Sequence, residues 1–362
     1  VRGEEMIKKF SIRNFKCFRE ITIKSWERIN LVAGKNNVGK TALLEAIWLH
    51  EGAHNAQLAF AVQKFRGINA FDSKNFLKEL FAEFRTGPGI TLEAEYQDGK
   101  SLGLRILQRE AREPVPIDTE TIESGSTRSV SPKLIFEATE GGNVLCKSEF
   151  FLGVDAGDPQ GKLIPFFLGG HQSLRPTAVF VSSGRSKEER NKVNGIRFSE
   201  QVEKKRKGEI LDSLRLICPE LKKIDLSKRG NEFYVGGDIG YDRMLPLSLM
   251  GEGVERYLTF VLSILFGENG IVLIDEIENG FHYSIYNKIW RNLARLARKY
   301  NVQIIATTHS HECVEAAHKS FKEDEKYDFL LHRLDRVGDS LDDVTYDQET
   351  LEVALNTDLE VR

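Results

Sequence analysis

The chain has 362 residues, 41% of them hydrophobic and 29% charged, with a formal net charge of −3. That length can bury a large core, as one large or two medium domains, and no run approaches the ~20 consecutive apolar residues that a membrane-spanning helix needs. The charge excludes a uniformly basic nucleic-acid coat but not a local basic face. Cys17, Cys146, Cys218 and Cys313 are scattered without metal-ligand or disulfide-framework spacing, so reduced thiols and a cytoplasmic location are expected. The opening "VRGEEMIKKF" lacks the apolar segment of a signal peptide, and Met6 reads as the more natural start.

In chain order, strands are expected at residues 7–12 and 19–25, around "NFKCF", and at 28–33, where "RINLVAG" reads as a buried strand. It runs into Gly34, Lys35, Asn36, Asn37, Val38, Gly39, Lys40 and Thr41, which fit G-x-x-x-x-G-K-[ST]. The following "TALLEAIWLH" places Leu44, Ile47 and Trp48 on one helical face. Strand, glycine loop and helix together make a phosphate cradle. The glycines let consecutive N–H groups turn inward, and the helix N-terminus adds positive potential. Lys40 is expected to reach the β- and γ-phosphates, and the Thr41 hydroxyl to ligate Mg²⁺.

Residues 54–85 read as mostly helical, with Phe60, Phe65, Phe71, Phe76, Phe81 and Phe84 as packing residues. A hairpin turning at Asp98–Gly99 follows, then strands at 133–138 and 144–152, with the Ser/Thr-rich segment 118–131 between as a connection. "TAVFVSS", 177–183, reads as another buried strand. Residues 184–230 change texture: 14 Lys/Arg against 8 Asp/Glu, in helical stretches with Val202, Ile210, Leu211, Leu214 and Ile217 at apolar positions. Either this is a solvated helical insertion, or Lys204, Lys205, Arg206 and Lys207 form a DNA-phosphate-contacting patch.

"LPLSLMGEGVERYLTFVLSILF" opens a long apolar helix at Gly251 and Gly253, with Ser248 just before; a glycine-rich helix start is a second anion-binding cap. Two phosphate-binding helix ends in one chain suggest that they meet across a dimer. In "GIVLIDEIENGFH", Ile271 to Ile274 form a strand apolar throughout that ends in Asp275 and Glu276. Such a strand belongs inside a parallel sheet, and paired acids at its end call for a cation. Asp275 is expected to hold Mg²⁺ through water and Glu276 to polarise an attacking water. "VQIIATTHSHE" supplies a further buried strand, Val302 to Ala306, with His309 placed at the same edge to meet a γ-phosphate. His282 and His311 are weaker candidates.

In order along the chain, "IRNFKCF", "GKNNVGKT", "LSLMGEGVER", "IVLIDEIENGFH" and "TTHS" resemble the ABC-type ATPase heads of the SMC/RecF/OLD (overcoming lysogenization defect) group. The likeness covers nearly the whole chain, and the closing "LHRLDR…YDQETLEVALNTDLEVR" resembles stand-alone OLD-like ATPases. The resemblance implies an α/β fold with a mixed central sheet, an antiparallel β subdomain and a helical insertion. It divides the chain into an N-terminal lobe 1–183, an insertion 184–230 and a C-terminal lobe 231–362. It further implies a homodimer, or a higher even oligomer, that sandwiches ATP and Mg²⁺. Asn36 and Asn37 lie in its phosphate loop. Gly251 and Gly253 would cap ATP in trans, and His309 would sense the γ-phosphate. Aligning Arg256 with the family's trailing basic residue puts Met250 at the usual signature serine, so Ser248 takes that role or none does. His282 occupies the usual D-loop Asp, and Gln172 is one choice among several for the Q-loop. The absence of a long heptad array excludes a rod-like arm.

No TOPRIM nuclease motif follows the last ATPase element, which points to a separate TOPRIM or HNH nuclease subunit, as in split anti-phage systems. Three functions follow: an ATPase that senses DNA or nucleotide state and controls such an effector, a RecF-like ATPase acting directly on DNA, and an ATP-bound scaffold with little turnover.

Overall fold

The computed structural model describes residues 6–66, 77–109, 133–154, 163–169, 178–229, 232–338, 340–357 and 359–361. The first strands are β1 (Ile7–Phe15), β2 (Phe18–Ile23) and β3 (Ile29–Ala33), followed by helices α1 (Lys40–Glu51) and α2 (Gln57–Phe65). Then come β4 (Ile90–Tyr96), β5 (Ser101–Arg109), β6 (Lys133–Glu140), β7 (Asn143–Val154), β8 (Leu163–Gly169) and β9 (Ala178–Val181). Helices α3 (Lys187–Glu203) and α4 (Lys207–Arg215) precede β10 (Lys223–Arg229), β11 (Glu232–Asp238) and β12 (Leu245–Pro246). The remainder is α5 (Glu252–Phe266), β13 (Ile271–Ile274), α6 (Tyr286–Lys299), β14 (Gln303–Thr307), α7 (His311–Lys322), β15 (Phe329–Val337), β16 (Ser340–Tyr346) and α8 (Gln348–Asn356).

The central sheet runs β16-β15-β3-β14-β13-β9 and is parallel from β15 to β9, with β16 antiparallel at the edge. Its inner strands are apolar on both faces because each face meets a different core. Val272 and Ile274 of β13 pack with α5, α6 and α7, whereas Ile271 and Leu273 pack with α1 and the outer sheet. That outer sheet is antiparallel, β2-β1-β4-β5-β6-β7-β8. The Asp98–Gly99 turn joins β4 to β5 as the sequence predicts. Buried Gln303 stitches the sheets together: its Oε1 accepts from Ile7 N–H, and its Nε2 donates to the carbonyls of Ile7 and Glu27, each at 2.9 Å.

Several expectations change. The helix α1 was expected to bury one face; lying between two sheets, it buries residues all round, Glu45 included, while Trp48 is only half-buried. Of the helical stretch 54–85, α2 and two short 3₁₀ turns are present; Phe81 is buried but Phe84 is 64% exposed. Phe71, Phe76, the Phe65 side chain, the segment 118–131 and Gln172 lie outside the described residues. The helical region 184–230 packs into the main core. Phe198, Ile210, Leu214, Cys218 and Ile224 belong to the core that also holds α5 and α6, although Val202 is exposed. The boundary expected at 230/231 falls inside the β10–β11 hairpin, and the central sheet takes strands from both expected lobes.

Candidate active site

Three parallel strands lie side by side as β3-β14-β13, so their carboxyl ends reach one edge together. Register puts Thr307 level with Val32, and Ala306 level with Ile274. The phosphate loop, Asp275–Glu276 and His309 therefore converge although they are far apart in sequence.

At the first strand end, Gly39 is the N-cap of α1 with φ 96°, and no side chain caps the helix, which leaves its first N–H groups for an anion. A Cβ on Gly39 would lie 2.5 Å from Cys17 Sγ and 2.8 Å from Phe18, so "NFKCF" is the floor on which the loop rests. Lys16 of the same turn pairs with buried Glu45 of α1 at 2.7 Å, and Arg66 closes on the other carboxylate side at 2.8 Å. Asn36 and Asn37 stand exposed at the loop tip, Asn37 with a left-handed φ of 62°.

Lys40 is buried, and its Nζ donates to the carbonyls of Gly34 (2.5 Å) and Lys35 (3.0 Å) and lies 3.2 Å from His309 Nδ1. Burial pushes its ammonium down to about 8, against the pull of Glu278, Asp275 and Glu276. Buried Asp275 accepts three hydroxyls: Thr41 at 3.0 Å, Thr307 at 2.8 Å and Ser183 at 2.8 Å. Glu276 is half-buried with a left-handed φ of 51°, and its carboxylate accepts from Asn279 Nδ2 at 2.5 Å. Thr307 Oγ1 also takes the Glu276 N–H at 2.8 Å, so one hydroxyl bridges both acids. The set fits a triphosphate with Mg²⁺: a cation, open helix N–H groups, and a hydroxyl beside a carboxylate that would hold the metal while phosphate and water supply the rest.

The second glycine motif sits elsewhere in the arrangement. Gly251 is the N-cap of α5 (φ 127°) and a Cβ there would meet nothing within 4 Å; Gly253 lies inside the helix, where a Cβ would meet the Gly280 carbonyl at 2.6 Å. Ser248 is half-buried in a 3₁₀ turn, Leu247–Leu249, and does not cap α5. What links α5 to the acids is Arg256, whose Nη2 donates to the carbonyls of Asp275 (2.8 Å) and Glu276 (2.6 Å). His282 caps a turn with Ser284, and His311 pairs with Glu315.

Three of the basic quartet face carboxylates of the chain. Arg206 forks onto Glu268 at 2.9 and 3.0 Å and stacks over Tyr300, Lys204 lies 3.9 Å from Glu268, and Lys207 pairs with Asp225 at 2.9 Å. Charge spent on intramolecular carboxylates offers little counterion release to DNA.

Sequence reasoning passed over Ser183, Thr307, Glu278 and Arg256 as site residues. Ser183 carried a signal, since it ends a strand expected to be buried. Glu278 carried none, because the left-handed turn at Glu276 decides where it points.

Two family models match the chain: "AAA ATPase domain" over residues 6–141 and "AAA domain, putative AbiEii toxin, Type IV TA system" over residues 167–315. An "ATP/GTP phosphatase" of Helicobacter pylori is 23% identical over 345 residues, 88% of this chain and 89% of that protein. A Smc head domain with an extended coiled coil, bound to the C-terminal domain of ScpA derived from Pyrococcus furiosus, superposes with a TM-score of 0.50. It is 10% identical and covers 97% of this chain and 98% of that one. The fold is that of an SMC-type ATPase head. In this head the phosphate loop and the acids occupy the same sheet edge, and no helix among the described residues is long and apolar enough to cross a membrane.

Proposed function

We propose that two copies of this head close on ATP and Mg²⁺, hydrolyse the nucleotide, and thereby control a separate effector. The observation that carries the reading is the convergence of Lys40, Thr41, Asp275, Glu276 and His309 on one edge. Lys40 and the N-terminus of α1 bind the triphosphate, Thr41 and Asp275 hold Mg²⁺, Glu276 accepts a proton from the attacking water, and His309 meets the γ-phosphate. The H. pylori relative's name supports triphosphate hydrolysis and makes GTP the competing substrate.

The open space above Gly251, with Leu249 and Tyr283 each 64% exposed, supports a second copy as the surface that completes the pocket. The P. furiosus head is bound to a separate protein. For this chain we infer a nuclease subunit of TOPRIM or HNH type, working in the cytoplasm in anti-phage defence as in stand-alone OLD-like systems. Direct DNA contact through Lys204, Lys205, Arg206 and Lys207 is not part of the proposal.

The test is Glu276→Gln with Mg·ATP and Mg·GTP. Phosphate release should fall to background, while light scattering shows a nucleotide-dependent dimer that wild type forms only transiently. Surviving turnover removes Glu276 as the base, and a monomer at saturating nucleotide removes the closing pair.

A further inference from the structure

The turn after β13 is tied to the end of β14 and the turn that follows it by several hydrogen bonds, the Thr307 hydroxyl on Asp275 among them. Glu276 N–H donates to Thr307 Oγ1 (2.8 Å), Ile277 N–H to the Thr307 carbonyl (2.9 Å), and His309 N–H to Glu278 Oε1 (2.6 Å). The last is the one in which a side chain of the first turn reaches across to the second, and it ends on the backbone of the residue that faces Lys40. Its carboxylate acceptor makes it charge-assisted, and such bonds are the stronger ones. The other oxygen, Glu278 Oε2, is buried without a hydrogen-bond partner. Burying a carboxylate oxygen without a hydrogen bond is costly, and the attraction between Glu278 and the Lys40 ammonium offsets part of that cost. Ser310, next in the chain, caps α7 by accepting from Cys313 N–H, so the loop is pinned at its far end as well.

We propose that Glu278 is a positioning residue for His309: its carboxylate fixes the backbone of the loop after β14 so that the imidazole faces Lys40 and the phosphate loop. The role rests on the reading of this edge as a nucleotide-hydrolysing site. Glu278 reaches His309 through the backbone N–H, not through the imidazole. It sets where the imidazole stands, so its loss affects turnover more than nucleotide affinity.

Three variants test this: Glu278→Ala removes the acceptor, Glu278→Gln keeps an acceptor without the charge, and Glu278→Ala/His309→Ala removes the residue that is positioned. Amide hydrogen exchange of the nucleotide-free protein reads the loop without any need for catalysis. Exchange at residues 308–310 should rise in Glu278→Ala and stay near wild type in Glu278→Gln. Steady-state ATPase should show kcat lower by about 10- to 100-fold in Glu278→Ala with KM little changed, and largely restored in Glu278→Gln. In the His309→Ala background, Glu278→Ala should have no further effect on kcat. Unchanged exchange in Glu278→Ala overturns the proposal whether or not the protein hydrolyses ATP. Equal loss in Glu278→Gln and Glu278→Ala overturns it too, because charge and not the hydrogen bond would then be what matters. A wild-type protein with no ATPase overturns the hydrolytic reading alone, and the exchange result still decides the positioning of the loop.

Discussion

Lys40 and His309, 269 positions apart, meet with Nζ 3.2 Å from Nδ1. An ammonium can only donate, so whenever Lys40 carries its charge Nδ1 is the acceptor in this contact. Under the proposed function a γ-phosphate would come between them and meet both.

The two residues should therefore fail differently. Lys40→Ala removes the main cation and should abolish binding of a fluorescent ATP analogue. His309→Ala should bind the analogue within a few-fold of wild type and lower kcat by about 10²–10³, the range seen when a donor aimed at developing charge is removed. Equilibrium binding and phosphate release on both variants separate the roles.

Thr307→Val keeps the shape of the residue but deletes the hydroxyl that serves both Asp275 and the Glu276 N–H. A buried N–H left unpaired costs about 1–3 kcal/mol, to be read in urea unfolding. Loosening Asp275 should also raise the Mg²⁺ concentration needed for half-maximal nucleotide binding by about tenfold or more.

Gly253→Ala should lower stability by about 1–3 kcal/mol, because its Cβ would sit 2.6 Å from the Gly280 carbonyl and backbone cannot swing aside as a side chain can. At Gly251 an added Cβ enters open space, so Gly251→Ala suffers only from its φ of 127°. Denaturant midpoints of the two variants check the distinction.

Glu209 of α4 receives Arg295 (2.8 Å), Lys299 (2.6 Å) and the Tyr300 hydroxyl, welding α4 to α6. Burial pushes its carboxyl up, but those hydrogen bonds outweigh it and bring the group down to about 2. A depressed carboxylate contributes stability above its unfolded value, near 4.5, and loses it as pH falls toward 2. Glu209→Gln should thus cost about 2–3 kcal/mol at pH 7. The gap to wild type should narrow between pH 4.5 and 2 in unfolding titrations.

Much of the site was legible because its residues end buried strands. A run such as Ile271 to Ile274 has to be interior, and whatever follows it has to emerge at an edge. Parallel order then brings Asp275, Lys40 and His309 together without further information. Less legible was anything decided by tertiary contact. The basic texture of 184–230 suggested a free surface, yet Glu268, from the turn after α5, and Asp225, from β10 within the same stretch, take up part of its charge. Periodicity gave α1 one apolar face because sequence alone does not show that a second sheet lies across it. Glu278 and Arg256 depend on a left-handed turn and on a helix approach that residue patterns do not record.

Gly253 lets the start of α5 lie directly on the Gly280 turn, with Phe281 packed beside it. There is no slack between them. Leu249, just before α5, and Tyr283, just after the Gly280 turn, stand exposed on either side of this contact. Arg256 ties the same helix to the carbonyls of Asp275 and Glu276, so the exposed face and the acids share one support.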